Sequence, residues 1–114
     1  MMKASSRKLN GIVIVDLSGR ITLGEGSAVL RETVRNLLAE GQKNILLNLA
    51  DVASIDSSGI GELVSAYTSV REQGGKLKLF TLTEKVQNLL RITKLHTVFD
   101  IQEDEASAVA AFGT

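Results

Sequence analysis

The sequence predicts an α/β fold with a mostly parallel sheet, an antiparallel strand at its N-terminal end and about four flanking helices. Three observations lead to this fold class. Strand-like segments alternate with segments of helical period along the chain. Residues 44–49 are nearly continuously apolar, which is typical of a central parallel strand covered on both faces. An Asn10–Gly11 pair separates the first two strand-like segments, and this pair is typical of a tight hairpin turn.

The N-terminal third of the chain is predicted to form the hairpin and one helix. Residues 3–9 and 12–17 are its two strands, and Gly19 is expected to end the second strand. From Glu25 onward, apolar residues recur at the spacing of one helical face, namely Leu30, Val34, Leu37 and Leu38. Gly41 is the predicted C-terminal cap of this helix.

The middle of the chain is predicted to form a buried strand and a second helix. The strand covers residues 44–49, and Asp51 is expected to cap a turn after it. The helix follows Asp56 and ends at the glycine pair 74–75. Its apolar face consists of Ile60, Leu63, Val64, Tyr67 and Val70.

The C-terminal third is predicted to add two strand–helix units. A strand over residues 76–82 precedes a helix that starts near Thr83. That helix has an apolar face formed by Val86, Leu89, Leu90 and Ile92. A short strand at 98–101 precedes a last helix, which begins in the acidic run 103–105 and carries Val109 and Phe112. Alternating strands and helices imply right-handed crossovers, and residues 1–114 are expected to form one domain.

The composition excludes several classes of function. Thirteen basic residues balance thirteen acidic ones and aromatic residues are 4% of the chain, so neither a basic nor a base-stacking surface for nucleic acid is expected. The absence of cysteine excludes disulfides and thiolate chemistry. The apolar runs 12–15 and 45–47 are too short to cross a bilayer, and the first residues do not resemble a signal peptide. We therefore expect a cytoplasmic protein with no nucleic acid or membrane partner.

The inventory of reactive residues argues against an enzyme. His96 is the sole histidine and is predicted to lie in a loop, and no Gly-x-Ser-x-Gly elbow is present. Asp51 and Asp56 are close in sequence, but two carboxylates alone define neither a metal site nor an acid–base pair. Residues 24–27, Gly-Glu-Gly-Ser, lack the lysine and spacing of a phosphate loop and are expected to form a flexible helix entry. We expect no metal and no cofactor.

The start of the second predicted helix is the strongest candidate for a functional site. Asp56, Ser57 and Ser58 are all good N-caps, although a helix needs only one. Gly59 and Gly61 follow in the first turns, where each costs up to about 1 kcal/mol relative to alanine. Bare backbone would let a partner surface approach closely. The free N–H groups and positive dipole end of the helix would also hold a phosphoserine.

Residues 56–61, Asp-Ser-Ser-Gly-Ile-Gly, resemble the Asp-Ser-Ser/Thr-Gly-Leu/Ile-Gly signature of STAS-domain anti-sigma-factor antagonists. The resemblance extends over nearly the whole chain. Residues 17–21, Leu-Ser-Gly-Arg-Ile, are similar to the Leu-x-Gly-Glu/Arg-Leu/Ile of the family's second strand. Residues 47–49, Leu-Asn-Leu, and residues 74–77, Gly-Gly-Lys-Leu, match two further family motifs in the same order.

The resemblance implies a partner-switching mechanism. The unphosphorylated antagonist of this family binds a GHKL-type ATP-binding anti-sigma kinase, which then releases its sigma factor. Phosphorylation of the serine after the aspartate ends the interaction, and a phosphatase resets it. That serine is Ser57 here, and ATP is bound by the partner. The residues expected to border the partner are Asp56, Ser58, Gly59, Gly61 and Glu62.

One position departs from the family pattern. Many members have aspartate where this chain has Thr22, and threonine does not add negative charge beside a phosphate. Two other functions remain open at the level of sequence. One is a STAS interaction subunit without phosphorylation, such as the accessory of a lipid-transport ABC ATPase. The other is a component of a larger STAS signalling scaffold.

Overall fold

Five strands and four α-helices follow one another in the predicted order in a computed structural model, which describes residues 2–113. The elements are β1 (Met2–Leu9), β2 (Ile12–Ile21), α1 (Glu25–Ala39), β3 (Asn44–Ile55), α2 (Ser57–Glu72), β4 (Lys76–Phe80), α3 (Glu84–Ile92), β5 (Ile101–Gln102) and α4 (Glu105–Phe112). A single 3₁₀ turn, Leu95–Thr97, follows α3. The strand order in the sheet is β1-β2-β3-β4-β5.

The sheet has the predicted mixture of strand directions. The strand β1 pairs antiparallel with β2 through the hairpin, and its register places Leu9 opposite Ile12. The other neighbouring strands, β2 with β3, β3 with β4, and β4 with β5, all pair parallel. Asn10 and Gly11 have φ values of 53° and 80°, the left-handed pair that a tight hairpin turn requires. The predicted fold class is therefore confirmed.

Apolar side chains cover both faces of the central strands. Ile45 and Leu47 of β3 belong to a large core that also receives side chains from α1, α2 and α3. Leu46, between them, belongs to a smaller core beneath α4 that contains Phe80 and Ala108. Successive residues of a strand point to opposite faces, so a continuous apolar run is what a strand buried on both sides needs.

Two strands are longer than the sequence predicts. The strand β3 continues to Ile55, so the prediction that Asp51 caps a turn is wrong: Asp51 pairs with Ser18 of β2, and Val52 and Ile55 beyond it are buried. Likewise β2 does not end at Gly19. Gly19 has φ 113° and sits between register shifts, so the strand bends there and continues to Ile21.

Three C-terminal predictions are corrected in detail. The strand β4 ends at Phe80, because the next residue, Thr81, has a left-handed φ of 52°. The last strand is Ile101–Gln102 rather than 98–101, because Val98 follows the 3₁₀ turn and is exposed. Ile92 does not join the apolar face of α3, because it lies at the end of the helix with 78% of its surface exposed.

Candidate functional site

The helices α1 and α2 both begin against the C-terminal end of β2. A Cβ atom built at Gly26 of α1 would lie 2.1 Å from the carbonyl oxygen of Arg20. A Cβ atom built at Gly59 of α2 would lie 2.0 Å from the carbonyl oxygen of Ile21. Only glycine permits such approaches, so these two residues bring both helix N-termini to one place, at the carboxyl edge of the sheet.

The two glycines of α2 therefore serve different purposes. Gly59 is buried, which corrects the expectation that its bare backbone is open to a partner. Gly61 is exposed, and a Cβ atom there would have no atom within 4 Å apart from its chain neighbours and the backbone of its own helix, as the sequence argument requires. The predicted flexible entry at residues 24–27 is also corrected, because Gly26 and Ser27 are buried in the packing of α1.

Asp56 joins the two helix entries through its carboxylate. Its Oδ1 accepts a hydrogen bond from the N–H of Gly59 at 2.9 Å, which makes it the N-cap of α2. Its Oδ2 accepts from the N–H of Leu23 at 2.9 Å, in the loop between β2 and α1. Both bonds favour the charged carboxylate and hold the pKa of Asp56 below its ordinary value, and the bond from Gly59 has the larger effect. Asp56 is therefore ionised at neutral pH and holds the β2–α1 loop against the start of α2.

The two neighbouring serines have different surroundings. The hydroxyls of Ser58 and Ser27 are 2.8 Å apart, and the Ser27 hydroxyl also donates to the carbonyl of Thr22 at 3.0 Å. Because Ser27 has a single hydroxyl proton, Ser58 is the donor in the bond between them. Ser57 is exposed, and its hydroxyl has no hydrogen-bond partner within residues 2–113. One serine is thus tied to α1 and the other is free.

Glu62 connects α2 to α1 farther from the loop. Its Oε1 lies 3.1 Å from Nε of Arg31, and both residues line a groove between the helices. The groove has a volume of about 500 Å³, and Ser65 and Ser69 of α2 also line it. Glu62 therefore lines the groove between α1 and α2, while it holds an ion pair within the fold.

The structure adds Leu23, Gly26 and Ser27 to the residues predicted from sequence. Their signal in the sequence is weak, because tertiary contacts give these residues their roles: Leu23 and Ser27 contact Asp56 and Ser58, about 30 residues away along the chain, and Gly26 packs against the end of β2. His96 is exposed in the 3₁₀ turn, as a loop position predicts. Among residues 2–113, no group of histidine, cysteine and acidic residues could hold a metal ion. The same residues include no helix long and apolar enough to cross a membrane.

Comparison with known proteins identifies the family. The sequence profile of the STAS domain matches residues 3–108. The chain belongs to the STAS family. An anti-sigma-B factor antagonist of Bacillus subtilis is 35% identical over 95 residues, which make up 83% of this chain and 85% of that protein. This confirms the resemblance that the DSSGIG segment indicates.

Solved STAS-domain structures agree with the fold. A crystal structure from Thermotoga maritima has 27% identity and a TM-score of 0.88, and covers 95% of this chain and 92% of that one. The Bacillus cell fate determinant SpoIIAA, solved in its phosphorylated form, has a TM-score of 0.74 at 15% identity and covers 96% of this chain and 99% of that one. The antagonists among these relatives are non-enzymatic regulators, which confirms the prediction that this STAS chain is not an enzyme.

Proposed function

We propose that this STAS protein is a phosphorylation-controlled anti-sigma-factor antagonist. In its unphosphorylated form it binds a GHKL-type anti-sigma serine kinase, and the kinase then frees its sigma factor. The kinase phosphorylates Ser57, which ends binding, and a phosphatase restores the active form. The observation that carries this proposal is the free, exposed hydroxyl of Ser57 at the entry of α2, next to a serine whose hydroxyl is engaged.

The geometry favours Ser57 over Ser58 as the phosphate acceptor. An acceptor hydroxyl has to reach the γ-phosphate of a docked nucleotide, and the Ser57 side chain is exposed at the first position of the helix. Ser58 would first have to give up its bond to Ser27, which belongs to the contact between α1 and α2. The hydroxyl of Ser57 can react without disturbing that contact.

A phosphate on Ser57 is compatible with the fold. Ser57 is the first residue of α2, where N–H groups have no partner within the helix ladder and the helix dipole favours negative charge. The phosphate adds a charge of about −1.5 to −2 at pH 7. SpoIIAA, which has the same fold, has been solved in a phosphorylated form. The switch therefore needs no refolding of the STAS domain.

The same phosphate is unfavourable in an interface. Asp56, directly before Ser57, has its pKa lowered by backbone hydrogen bonds and carries a negative charge at neutral pH. A partner that fits the neutral hydroxyl would have to desolvate the phosphate beside this carboxylate. Like charges brought together in an interface cost several kcal/mol, and every ~1.4 kcal/mol changes affinity tenfold. Repulsion and desolvation at the phosphate are therefore sufficient to end binding, without any change elsewhere in the domain.

The partner surface is centred on the entry of α2. Gly61 has open space around its Cα, so a partner's backbone can come close to it. Glu62 lines the groove between α1 and α2. Asp56 and Ser58 border Ser57 and hold the loop and helix that present it. Gly59 acts from inside the fold, where it sets the position of α2.

The test is phosphorylation by a GHKL-type kinase with ATP, followed by mass spectrometry. The kinases to use are those encoded in the genome that carries this chain. We expect one phosphate on the wild type and on Ser58→Ala, and none on Ser57→Ala. Unmodified Ser57→Ala should still bind the kinase in a pull-down. Phosphorylation that persists in Ser57→Ala but disappears in Ser58→Ala would overturn the assignment. If none of these kinases modifies the chain, a STAS interaction subunit without phosphorylation is the better description.

A further inference from the structure

Leu23 is the most exposed large apolar side chain among residues 2–113, with 81% of its surface accessible. A single exposed leucine is common on protein surfaces and needs no special role. The position of Leu23 is what distinguishes it from other exposed leucines. It lies in the β2–α1 loop, which is hydrogen-bonded to Asp56, the residue before Ser57. Ile92 is a useful comparison, because it is 78% exposed at the end of α3.

Hydrogen bonds fix the backbone of Leu23 on both sides. Its own N–H donates to Oδ2 of Asp56 at 2.9 Å. The carbonyl of the preceding residue, Thr22, accepts from both the N–H and the hydroxyl of Ser27, at 2.9 and 3.0 Å. The carbonyl of the following residue, Gly24, accepts from the N–H of Ala28 at 3.1 Å. The leucine is therefore presented from a rigid loop although its side chain is exposed.

The backbone of Leu23 is bound to a polar residue, Asp56, which directly precedes Ser57. Each oxygen of the Asp56 carboxylate accepts a backbone N–H group, and the Ser57 hydroxyl is free. An apolar side chain on a fixed backbone is suited to anchor a contact, because the backbone loses little ordering entropy when the side chain is buried. The backbone N–H of Leu23 is bound to the carboxylate of Asp56, which also caps α2 directly before Ser57.

We propose that Leu23 is the apolar anchor of the contact with the anti-sigma factor, whose facing surface is an apolar pocket. This inference rests on the proposed function and names the chemistry of the partner's surface. When the pocket covers Leu23, water is excluded from the neighbouring Ser57 as well. A phosphate on Ser57 would then have to lose its hydration before Leu23 could enter the pocket. The anchor thereby makes binding sensitive to the phosphate.

The test compares the affinities of four forms of the full chain. They are the wild type, Leu23→Ala, Leu23→Gln and the matched control Ile92→Ala. The probes are the purified GHKL-type kinases of the same genome, and Kd is measured by calorimetry without ATP. We expect both Leu23 variants to bind at least tenfold more weakly, and Ile92→Ala to bind within about twofold of wild type. Leu23→Gln keeps the size of the side chain and removes its apolar character.

Melting curves separate binding from folding. Since the bond from residue 23 to Asp56 uses the backbone, all three variants should melt close to the wild type. If the wild type binds and both Leu23 variants bind equally well, Leu23 is not the anchor, although the proposed function stands. Equal losses in Ile92→Ala and Leu23→Ala would also overturn the inference. If the wild type binds none of the kinases, the proposed function fails and the anchor fails with it.

Discussion

The two glycines of α2 predict opposite effects of the same substitution. In Gly59→Ala the new Cβ atom would lie 2.0 Å from the carbonyl oxygen of Ile21 and 2.8 Å from Cγ2 of Ile55. The first distance is about 1.5 Å shorter than an ordinary contact of ~3.5 Å. The oxygen that the Cβ atom would meet belongs to the backbone of β2, a strand inside the sheet. Neither β2 nor α2 can yield without opening the core, so the clash must be absorbed as strain.

The magnitude follows from two terms. Overpacking of a tight core costs about 1–3 kcal/mol, and a clash with strand backbone belongs at the upper end of that range. The change from glycine to alanine within a helix increases the free energy of unfolding by about 0.5–1 kcal/mol, because alanine is the better helix former. Gly59→Ala should therefore decrease the free energy of unfolding by about 2 kcal/mol, which lowers Tm by about 8 °C in a domain of this size. In Gly61→Ala the new Cβ atom meets no atom within 4 Å beyond its chain neighbours and its own helix backbone, so the substitution should raise Tm by about 2–4 °C.

Thermal melting followed by circular dichroism measures both variants. The pair controls for helix propensity, because the substitution is the same and the two positions are two residues apart in one helix. A Gly59→Ala protein that melts at or above the wild-type temperature would refute the reasoning. It would mean that α2 can move away from β2 without loss of core packing.

Three further predictions concern the switch surface. Ser57→Asp should melt within a few degrees of wild type, because a negative charge suits the first turn of α2, yet it should bind the kinase more weakly in a pull-down; a large fall in Tm would mean that Ser57 is not free. Gly61→Arg should not lower Tm, because arginine is a better helix former than glycine, and it should weaken kinase binding; an unaffected pull-down would place the interface elsewhere. Because the folded state lowers the pKa of Asp56, its contribution to stability is present above the pKa of the unfolded chain and is lost as pH falls through the folded value. The Tm difference between wild type and Asp56→Asn should therefore be larger at pH 7 than at about pH 3, and an equal difference at both would contradict this.

Two residues at the proposed partner surface, Asp56 and Glu62, also support the fold. Asp56 caps α2 and also holds the loop of Leu23. Glu62 borders the proposed partner surface and also pairs with Arg31 of α1. Substitution of either residue would change binding and packing together. Gly61 and Leu23, which have open surroundings, are therefore the positions at which binding can be tested with little change in the fold.

The sequence by itself determined the order of the elements and indicated the segment of the candidate site. Helical period in α1, the apolar run of β3 and the Asn10–Gly11 turn are local patterns, and each identified its element. The segment from Asp56 to Gly61 was visible as a site because its serines and glycines exceed what a helix start needs. Strand ends were less well predicted, since the extension of β3 to Ile55 depends on pairing with β2.

Only the tertiary structure decided which members of that segment are free. Ser57 and Ser58 are equivalent N-cap residues in sequence, but a contact with Ser27, 31 residues away along the chain, engages the hydroxyl of Ser58. Gly59 and Gly61 are likewise equivalent until the carbonyl of Ile21 is found against one of them. Local patterns reflect interactions within one element, whereas accessibility depends on how separate elements pack, and that is not written in any one stretch of the chain.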